Sequence, residues 1–536
     1  MRLPAGLFLV SAAVILAAWW WLGMPAQMPP APVNPGEKLH CLSYAPFRAG
    51  QTPLDESTRI DPKQIEEDLQ RLAGVTRCVR TYSVDFGLEK VPGIARRYGL
   101  KVLQGLWVSN NAEKTQFQIS AAVDLAKRYP DVIEAIIVGN EVLLRGDMSA
   151  ADLANTIRAV KAQVRVPVTY ADVWEFWLRN PAVLDAVDFV TIHILPYWED
   201  FPIPAAQAAA HVVAIRQKVA AALPGKEILI GETGWPSAGR MREGALPSPV
   251  NQAAVIHEVL TAAKRENFHV NIVEAFDQPW KRQQEGTVGG YWGLFDAYSR
   301  EAKFAWGGLV SNHPFWRWQA AGGMALAFLT YAAAFAAARR NGAPARAMRP
   351  PWIGVAAMAL PAGILAGWSV ENAMIESLGA GGWIRSLVLV AVSIAAPIAA
   401  AAALASGVSI PSFSQVLSRA GNRGREPLGL ALGAILILAS VLALQFALAL
   451  VFEPRYRSFA FAPLTAALVP YLVLVFSAAR SPGAPRTAES VMACALLACA
   501  IYIVPNEGFA NWQALWFCSA LLVLAVILLW PRDAPD

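Results

Sequence analysis

The sequence predicts a two-part chain: a (β/α)8 barrel of the α/β class, then an all-α domain of several transmembrane helices. The chain has 536 residues, too many for one ordinary domain. Short apolar runs alternate with helix-period segments in its first half. Beyond about residue 318, long Ala/Leu/Val/Ile-rich runs contain no charge, which raises the mean hydropathy to +0.38.

The N-terminus begins with an apolar segment, Leu3 to Leu22, which follows Arg2 and holds no charge. About 20 apolar residues suffice to span a bilayer. The segment ends in three tryptophans, which are typical of the membrane interface. A cleaved signal peptide is the alternative, but the run is long for one and the cleavage pattern after it is poor. We therefore predict an uncleaved signal-anchor over residues 1–22, with the following residues exported.

Residues 23–37 form a Pro-rich segment that we expect to be an extended linker. The predicted barrel domain follows over residues 38–317. Its eight strand candidates are "HCLSYAP", "CVRTYSV", "KVLQGLWV", "AIIVGNE", "VPVTYADV", "DFVTIHILPYW", "EILIGETGW" and "HVNIVEAFDQPW".

Amphipathic segments such as "DPKQIEEDLQRLAG" and "NQAAVIHEVLTAAKREN" separate these strands. Eight strand–helix units in roughly 250 residues is the usual size of a (β/α)8 barrel. Near-continuous apolar strands are typical of a parallel sheet covered by helices. In that architecture the active site lies at the C-terminal ends of the strands.

Residues 318–536 contain about seven further apolar segments long enough to be considered as spans. We place them at Trp318–Ala338, Trp352–Val370, Ser386–Ser406, Leu428–Phe452, Phe459–Ala479, Val491–Val504 and Trp512–Trp530.

The loops between these spans predict the topology. With eight spans in total, the arginine-rich loops fall on the side of the N-terminus: Arg339, Arg340, Arg346, Arg349, Arg419, Arg423, Arg425, Arg480 and Arg486. The opposite loops carry fewer arginines, although Arg455 and Arg457 are exceptions. The positive-inside rule therefore places both termini in the cytoplasm and residues 23–317 outside.

The net charge of +5 owes much to these arginines, so we predict no nucleic-acid partner. Cys41 and Cys78 lie in the exported part, where two buried thiols on neighbouring strands are favoured over a disulfide. No Cys/His spacing is typical of a structural metal site. We predict neither a metal nor a cofactor.

Aromatic and carboxylate residues follow the predicted strands. Sugar rings stack on aromatic side chains, and their hydroxyls bond to amides and carboxylates, so this pattern predicts a groove for a carbohydrate chain. The residues at the strand ends are Tyr44, Tyr82, Trp107, Asn140, Glu141, Trp174, Tyr197, Trp198, Glu232, Trp235, Glu274, Asp277 and Trp280.

Glu141 and Glu232 end the fourth and seventh strands. Retaining glycosidases use two carboxyl groups about 5–5.5 Å apart, one as acid/base and one as nucleophile. Asn140 precedes Glu141, and an amide there is placed to bond a sugar 2-hydroxyl. Taken singly, Asn140–Glu141 also fits a capped loop and Glu232 a strand-end ion pair. Both glutamates at matching strand ends favour catalysis.

The segments "VGNEVLLRG" and "IGETGWPSAG" resemble the two signature segments of glycoside hydrolase family 17, the β-1,3-glucanase family. "RTYSVD", "EAFDQPWK" and "GYWGLFD" are similar to its fungal and bacterial members, and the resemblance covers about residues 38–308. It implies that Glu141 is the acid/base and Glu232 the nucleophile. Gln278 stands where many relatives have an acid, so no role is transferred to it. The resemblance also implies donor-site roles for Tyr197, Trp235, Glu274 and Lys281.

Three other residues have two interpretations each. His193 in "VTIHILPY" is more typical of a core or supporting histidine than of a substrate contact. Trp174 and Trp177 are equally compatible with sugar platforms and with helix packing.

A family 17 domain followed by many spans resembles bacterial membrane proteins implicated in building β-(1,3),(1,6)-glucans. The resemblance favours transglycosylation, branching or β-1,6 linkage formation, and hydrolysis by an endo-β-1,3-glucanase is the alternative. A catalytically inactive glucan-binding or glucan-export protein is the hypothesis of another class. The expected partners are β-glucan, the lipid bilayer of a bacterial inner membrane and a glucan synthase, with the barrel on the periplasmic side.

Overall fold

The structure is a computed structural model that describes residues 2–340, 352–418, 426–477 and 486–530. The chain divides into two compact units. The barrel unit comprises Ala26–Ala238 and Gly244–Val310. The helical unit comprises Met1–Pro25, Gly239–Glu243 and Ser311–Asp536.

The barrel unit contains a closed barrel of parallel strands, which confirms the predicted fold class. Each strand pairs with the next along the chain, and the eighth pairs with the first. The strands are β1 (Cys41–Ser43), β2 (Cys78–Arg80), β3 (Lys101–Leu106), β4 (Ile133–Asn140), β5 (Val168–Val173), β6 (Val190–His193), β7 (Ile228–Thr233) and β8 (Val270–Ile272).

The strands form because both of their faces are buried. Every residue of β7 is buried, and in β4 only Glu134 is exposed. The pairing register shifts near the ends of β4, β6 and β7. Such irregularities re-aim side chains and are frequent beside active sites. They lie next to the residues predicted to be functional.

Helices cover the barrel and follow the strands in sequence. Several begin at a side-chain cap: the side chains of Asp61, Asn111, Ser149 and Ser248 each accept a hydrogen bond from a backbone amide in the first turn. With the N-terminal helix α1 (Arg2–Leu22) counted first, the barrel helices are α2 (Pro62–Leu72), α3 (Val91–Arg97), α4 (Ala112–Arg128), α5 (Ala150–Lys161), α6 (Trp174–Arg179), α7 (Ala205–Ala222), α8 (Pro249–Arg265) and α9 (Arg282–Gly289).

Cys41 and Cys78 form a disulfide between β1 and β2, with their Cα atoms 4.4 Å apart. The prediction of two free thiols was therefore wrong. The two strands are direct neighbours in the barrel, and their pairing places the two side chains side by side in a small buried cluster. Proximity that comes from strand pairing is invisible in the 37-residue separation along the chain.

The Pro-rich segment is not wholly without structure. Ala26–Gln27 pairs antiparallel with Leu309–Val310, so the first and last residues of the barrel unit meet in a small ladder. Met28 is buried against Ala253 and Val310. Residues 26–37 of the segment predicted as a linker are therefore part of the barrel unit.

In the helical unit, the described residues include seven helices that are long and apolar enough to cross a membrane, as is typical of multi-pass membrane proteins. Phe461–Ser477 is apolar but shorter. Besides α1, the helices are α10 (Trp316–Arg340), α11 (Trp352–Glu376), α12 (Gly379–Ser406), α13 (Phe413–Leu417), α14 (Pro427–Phe452), α15 (Phe461–Ser477), α16 (Thr487–Glu507) and α17 (Trp512–Leu529).

The eight predicted spans correspond to α1, α10, α11, α12, α14, α15, α16 and α17. Val491–Val504 was the shortest predicted span, yet α16 has 21 residues. It extends through Pro505 and ends before Gly508, so the proline does not stop it. Several arginines that carry the topology prediction lie outside the described residues: Arg346, Arg349, Arg419, Arg423, Arg425 and Arg480.

Small residues allow close helix packing in this unit. A Cβ atom added to Gly323 of α10 would lie 2.1 Å from the carbonyl oxygen of Gly363 of α11. Ile15 of α1 packs against the same two glycines. Contacts of this kind are a common basis of helix association in membranes, where lipid offers no hydrophobic drive.

The segment Gly239–Glu243 belongs to the helical unit although it follows β7 in sequence. Arg240 forms a buried ion pair with Glu507 at the end of α16. Asn511 donates a hydrogen bond to the Met241 carbonyl at 3.1 Å, and Gln513 accepts one from the Met241 amide at 2.8 Å. The segment is thus fixed by backbone as well as side-chain contacts.

Candidate active site

Glu141 and Glu232 meet at the C-terminal ends of the barrel strands. Glu141 directly follows β4, and Glu232 is the fifth residue of β7. One oxygen of each carboxylate and one ring nitrogen of His193 all lie within 4.8 Å of one another. The two glutamates therefore face each other across a single cleft.

The Glu232 carboxylate is almost completely buried and is held by two donors. Arg80 Nη1 lies 2.8 Å and the Tyr82 hydroxyl 2.9 Å from its Oε1. Burial alone would raise the pKa of Glu232, but the charges of His193, Arg80 and Lys281 and the Tyr82 hydrogen bond outweigh it. The pKa of this carboxyl is therefore lowered, which favours the ionised form that a nucleophile requires.

Glu141 is more open to solvent than Glu232. Its side chain is 24% exposed, against 9% for Glu232. Its Oε1 lies 2.8 Å from His193 Nδ1. Its backbone is left-handed, with a φ of 54°. This conformation costs a residue with a side chain about 1–2 kcal/mol. Surrounding contacts must therefore hold Glu141 in place.

Arg80 connects the two halves of the site and was not predicted. It is 1% exposed, donates from Nη1 to the Gly231 carbonyl at 2.9 Å and from Nη2 to Asn140 Oδ1 at 2.5 Å. A buried charge is tolerated only when it is paired. The signal in the sequence was a cation at the end of the otherwise apolar run "CVR", where the segment "RTYSVD" begins.

His193 lies between the two carboxylates. Besides its contact with Glu141, its Nε2 lies 3.6 Å from Glu232 Oε1 and 3.4 Å from Arg80 Nη2. The ring is 1% exposed. It is thus a buried histidine in contact with both glutamates, as the interpretation of a supporting residue predicts.

Glu274 and Lys281 form an ion pair beside the cleft, with their charged atoms 3.2 Å apart. Burial raises the pKa of Glu274 to about 7, although Lys281 opposes the shift. Burial would lower the pKa of Lys281, but Glu274 and the neighbouring acids raise it. The charge of Lys281 is close enough to Glu232 to lower the pKa of that carboxyl.

Three predicted sugar contacts have no open ring face. Trp235 is 0% exposed, and its indole donates to the Leu246 carbonyl at 3.1 Å. Tyr197 is equally buried and packs edge-on against Trp235. Tyr44 donates to Asp68 at 3.1 Å inside the core. These rings support the site from behind, because packing of the barrel closes over them. In contrast, the Tyr82 hydroxyl donates to Glu232, and Asn140 Oδ1 accepts a hydrogen bond from Arg80.

The other aromatic candidates divide by burial. Trp177 is a core residue whose indole donates to the Thr191 carbonyl at 2.8 Å. Trp107 is exposed and stacks with the Arg145 guanidinium. Gln278 is buried, donates to the Ala45 carbonyl and accepts from the Trp280 indole, so its contacts are structural.

Among the described residues, Glu141, His193 and Glu232 are the group whose atoms approach as closely as metal ligands do. Arg80 already donates to Glu232 and lies beside the His193 ring. A metal cation would have to compete with this guanidinium. The arrangement suits acid–base and nucleophilic chemistry at two carboxylates.

Residues 41–293 match the family model of the BtgE/BtgC glycoside hydrolase domain. A glucan 1,3-beta-glucosidase of Candida albicans is 28% identical over 278 residues, covering 47% of this chain and 90% of that protein. A probable beta-glucosidase of Aspergillus fumigatus is 29% identical over 266 residues, covering 48% of this chain and 45% of that protein.

The family 17 beta-1,3-glucanosyltransferase of Rhizomucor miehei, a solved structure, is 26% identical with a TM-score of 0.44. The matched region makes up 49% of this chain and 95% of that protein. Residues 41–293 are therefore similar to the BtgE/BtgC glycoside hydrolase domain and to a fungal glucan 1,3-beta-glucosidase.

Proposed function

We propose that this chain is a membrane-embedded retaining enzyme that acts on β-glucan and transfers the glycosyl group to another glucan. Glu232 attacks the anomeric carbon and forms a glycosyl-enzyme, while Glu141 protonates the leaving oxygen. Glu141 then deprotonates the incoming acceptor hydroxyl. Asn140 bonds the sugar 2-hydroxyl, and Tyr82, Glu274 and Lys281 line the donor site.

The observation that carries this proposal is the contrast between the two carboxylates. Glu232 is buried, lies against Arg80 and has a lowered pKa, whereas Glu141 is more exposed and contacts a histidine. One carboxylate oxygen of Glu141 lies within 4.8 Å of one of Glu232. An inverting enzyme needs a wider separation, because a water must fit on the far side of the sugar. The geometry thus favours retention.

The acceptor is the open half of the proposal. Water and a sugar hydroxyl resolve the same glycosyl-enzyme with the same base, so hydrolysis is the second candidate. The relative from Candida albicans is a glucan 1,3-beta-glucosidase, which supports β-1,3-glucan as donor. The resemblance in arrangement to bacterial membrane proteins that build β-(1,3),(1,6)-glucans supports transfer, on the periplasmic side of an inner membrane.

The test uses the full chain in detergent, incubated with β-1,3-gluco-oligosaccharides of one length. Products longer than the substrate, with their linkages read by NMR, are expected. Only shorter products would show hydrolysis, and an unchanged mixture would favour a binding protein. Glu232→Gln is the negative control. It should lose turnover by several orders of magnitude and form no trapped glycosyl-enzyme, whereas substantial turnover would refute the nucleophile role.

A further inference from the structure

The turn that carries Glu141 is held from the neighbouring strand. Glu141 is left-handed, and Gly139 two residues earlier also has a positive φ, of 89°. The chain therefore leaves β4 in a conformation that its own residues do not favour. Residues 143 and 144 must be fixed from outside if the carboxylate is to keep its direction.

Two side chains of β5 satisfy the backbone of this turn. The Leu143 amide donates to the Tyr170 hydroxyl at 3.0 Å. The Leu144 amide donates to Asp172 Oδ2 at 3.4 Å. Tyr170 in turn donates its hydroxyl proton to the same Asp172 oxygen. Both acceptors are thus linked in one hydrogen-bonded group.

The group is fully enclosed, which gives it a defined geometry. Tyr170 is 1% and Asp172 0% exposed. Asp172 Oδ1 accepts from the Val173 amide at 2.7 Å, so both carboxylate oxygens are occupied. The Tyr170 ring packs against Trp177, with ring centroids 5.6 Å apart. A side chain locked in this way can transmit its position to the turn.

Arg145 closes the turn from the other end. Its amide donates to the Glu141 carbonyl at 2.9 Å, and its guanidinium donates to the Asn140 and Val108 carbonyls. Glu141 itself donates its amide to the Ala171 carbonyl at 2.8 Å, between the two β5 side chains. Strand β5 therefore contacts the turn at residues 141, 143 and 144.

We propose that Tyr170 and Asp172 are positioning residues that set the direction of the Glu141 carboxyl for proton transfer. Neither is hydrogen-bonded to the carboxyl itself, and they hold the turn through the amides of Leu143 and Leu144. This inference rests on the proposed acid/base role of Glu141. Loss of the Tyr170 hydroxyl leaves Leu143 without its acceptor and frees the turn to relax from the left-handed conformation.

The test compares two donors in the full-length protein. Proton donation matters for a β-1,3-gluco-oligosaccharide, whose leaving group is a sugar, and hardly at all for a dinitrophenyl β-glucoside, whose leaving group is a stable anion. Values of kcat/KM report the first half-reaction for both. For Tyr170→Phe we expect a loss of about tenfold to a hundredfold with the oligosaccharide and less than about threefold with the activated donor.

Tyr98→Phe is the matched control, because it removes a hydroxyl that lies just after α3 and donates to Glu66 of α2 at 3.0 Å. It should leave both values unchanged. Asp172→Asn gives a second variant if Tyr170→Phe fails to fold, and we expect the same dependence on the leaving group. Equal losses with both donors, or no loss with either, would overturn the proposal.

Glu141→Gln separates the two proposals. If it shows the leaving-group dependence and the β5 variants do not, the positioning role fails while the acid/base role stands. If Glu141→Gln lowers kcat/KM equally with both donors, the acid/base role itself fails.

Discussion

Glu232 keeps its charge in a nearly closed cleft because its neighbours compensate for the loss of water. Burial raises the pKa of a carboxyl, and here His193, Arg80, Lys281 and Tyr82 together more than reverse that effect. The Tyr82 hydroxyl is the member of this set that a single conservative change removes without leaving an unpaired charge.

Tyr82→Phe should therefore move the acidic limb of the pH profile. In the wild-type protein the pKa of Glu232 is lowered from its ordinary value, so the acidic limb of kcat/KM should lie at a lower pH than an ordinary glutamate would give. The hydrogen bond from Tyr82 favours the ionised carboxylate, and its loss raises the pKa. We expect the limb of kcat/KM to shift toward higher pH. A limb that does not move would mean that another group controls it.

At this scale the sequence predicted residues better than their surroundings. Glu141, Asn140 and Glu232 were recognisable because each ends an apolar run. Arg80, Tyr170 and Asp172 were not, because their importance comes from contacts with other strands. The sequence did not predict that the ring of Trp235 is buried, because the sequence of a strand end does not reveal which loops pack over it.

The disulfide between Cys41 and Cys78 links two neighbouring strands of the barrel, β1 and β2, covalently. It closes a segment of 37 residues that includes α2. In the chain-entropy model, a loop of this length restricts the unfolded state enough to contribute about 3–4 kcal/mol.

A Cys41→Ser/Cys78→Ser double variant should therefore unfold at a lower temperature than the wild-type protein. Thermal unfolding in detergent measures this, and dithiothreitol should lower the transition of the wild type but not of the double variant. Cys494→Ser, which removes an exposed free thiol, is the control and should have no effect. If dithiothreitol leaves the wild type unchanged, the bridge does not stabilise the barrel.

Elements were the most predictable part of the fold. Seven of the eight barrel strands lie within the predicted runs, because burial on both faces gives them a continuous apolar composition. The exception is β4, which begins at Ile133, two residues before the predicted run. The ends of the membrane helices were less predictable. Ser386–Ser406 became Gly379–Ser406, since polar and small residues at a helix end carry no periodic signal.

The side of the membrane on which the C-terminus lies depends on the number of spans. α15 has 17 residues, which at 1.5 Å per residue reach about 26 Å, slightly less than the roughly 30 Å of a hydrocarbon core. If α15 spans, eight of the described helices cross, and the positive-inside rule then predicts both termini in the cytoplasm. If it does not, the C-terminus lies on the opposite side.

Reporter fusions in a bacterial host decide between these outcomes. We expect a green fluorescent protein fused to the C-terminus to fluoresce and alkaline phosphatase at the same place to be inactive. Alkaline phosphatase fused after residue 317 should be active, which provides the control for an exported barrel. An active phosphatase at the C-terminus would exclude eight spans.

The ladder between Ala26–Gln27 and Leu309–Val310 has a consequence for how this chain can be rebuilt. Because the barrel unit starts and ends at one place, it is a cassette inserted between α1 and α10. A barrel of different specificity with the same end-to-end spacing can be exchanged there, provided that it keeps the segment Gly239–Glu243, which belongs to the helical unit. Tension along the chain between those helices would load this two-residue ladder first, before it reached the strands of the barrel.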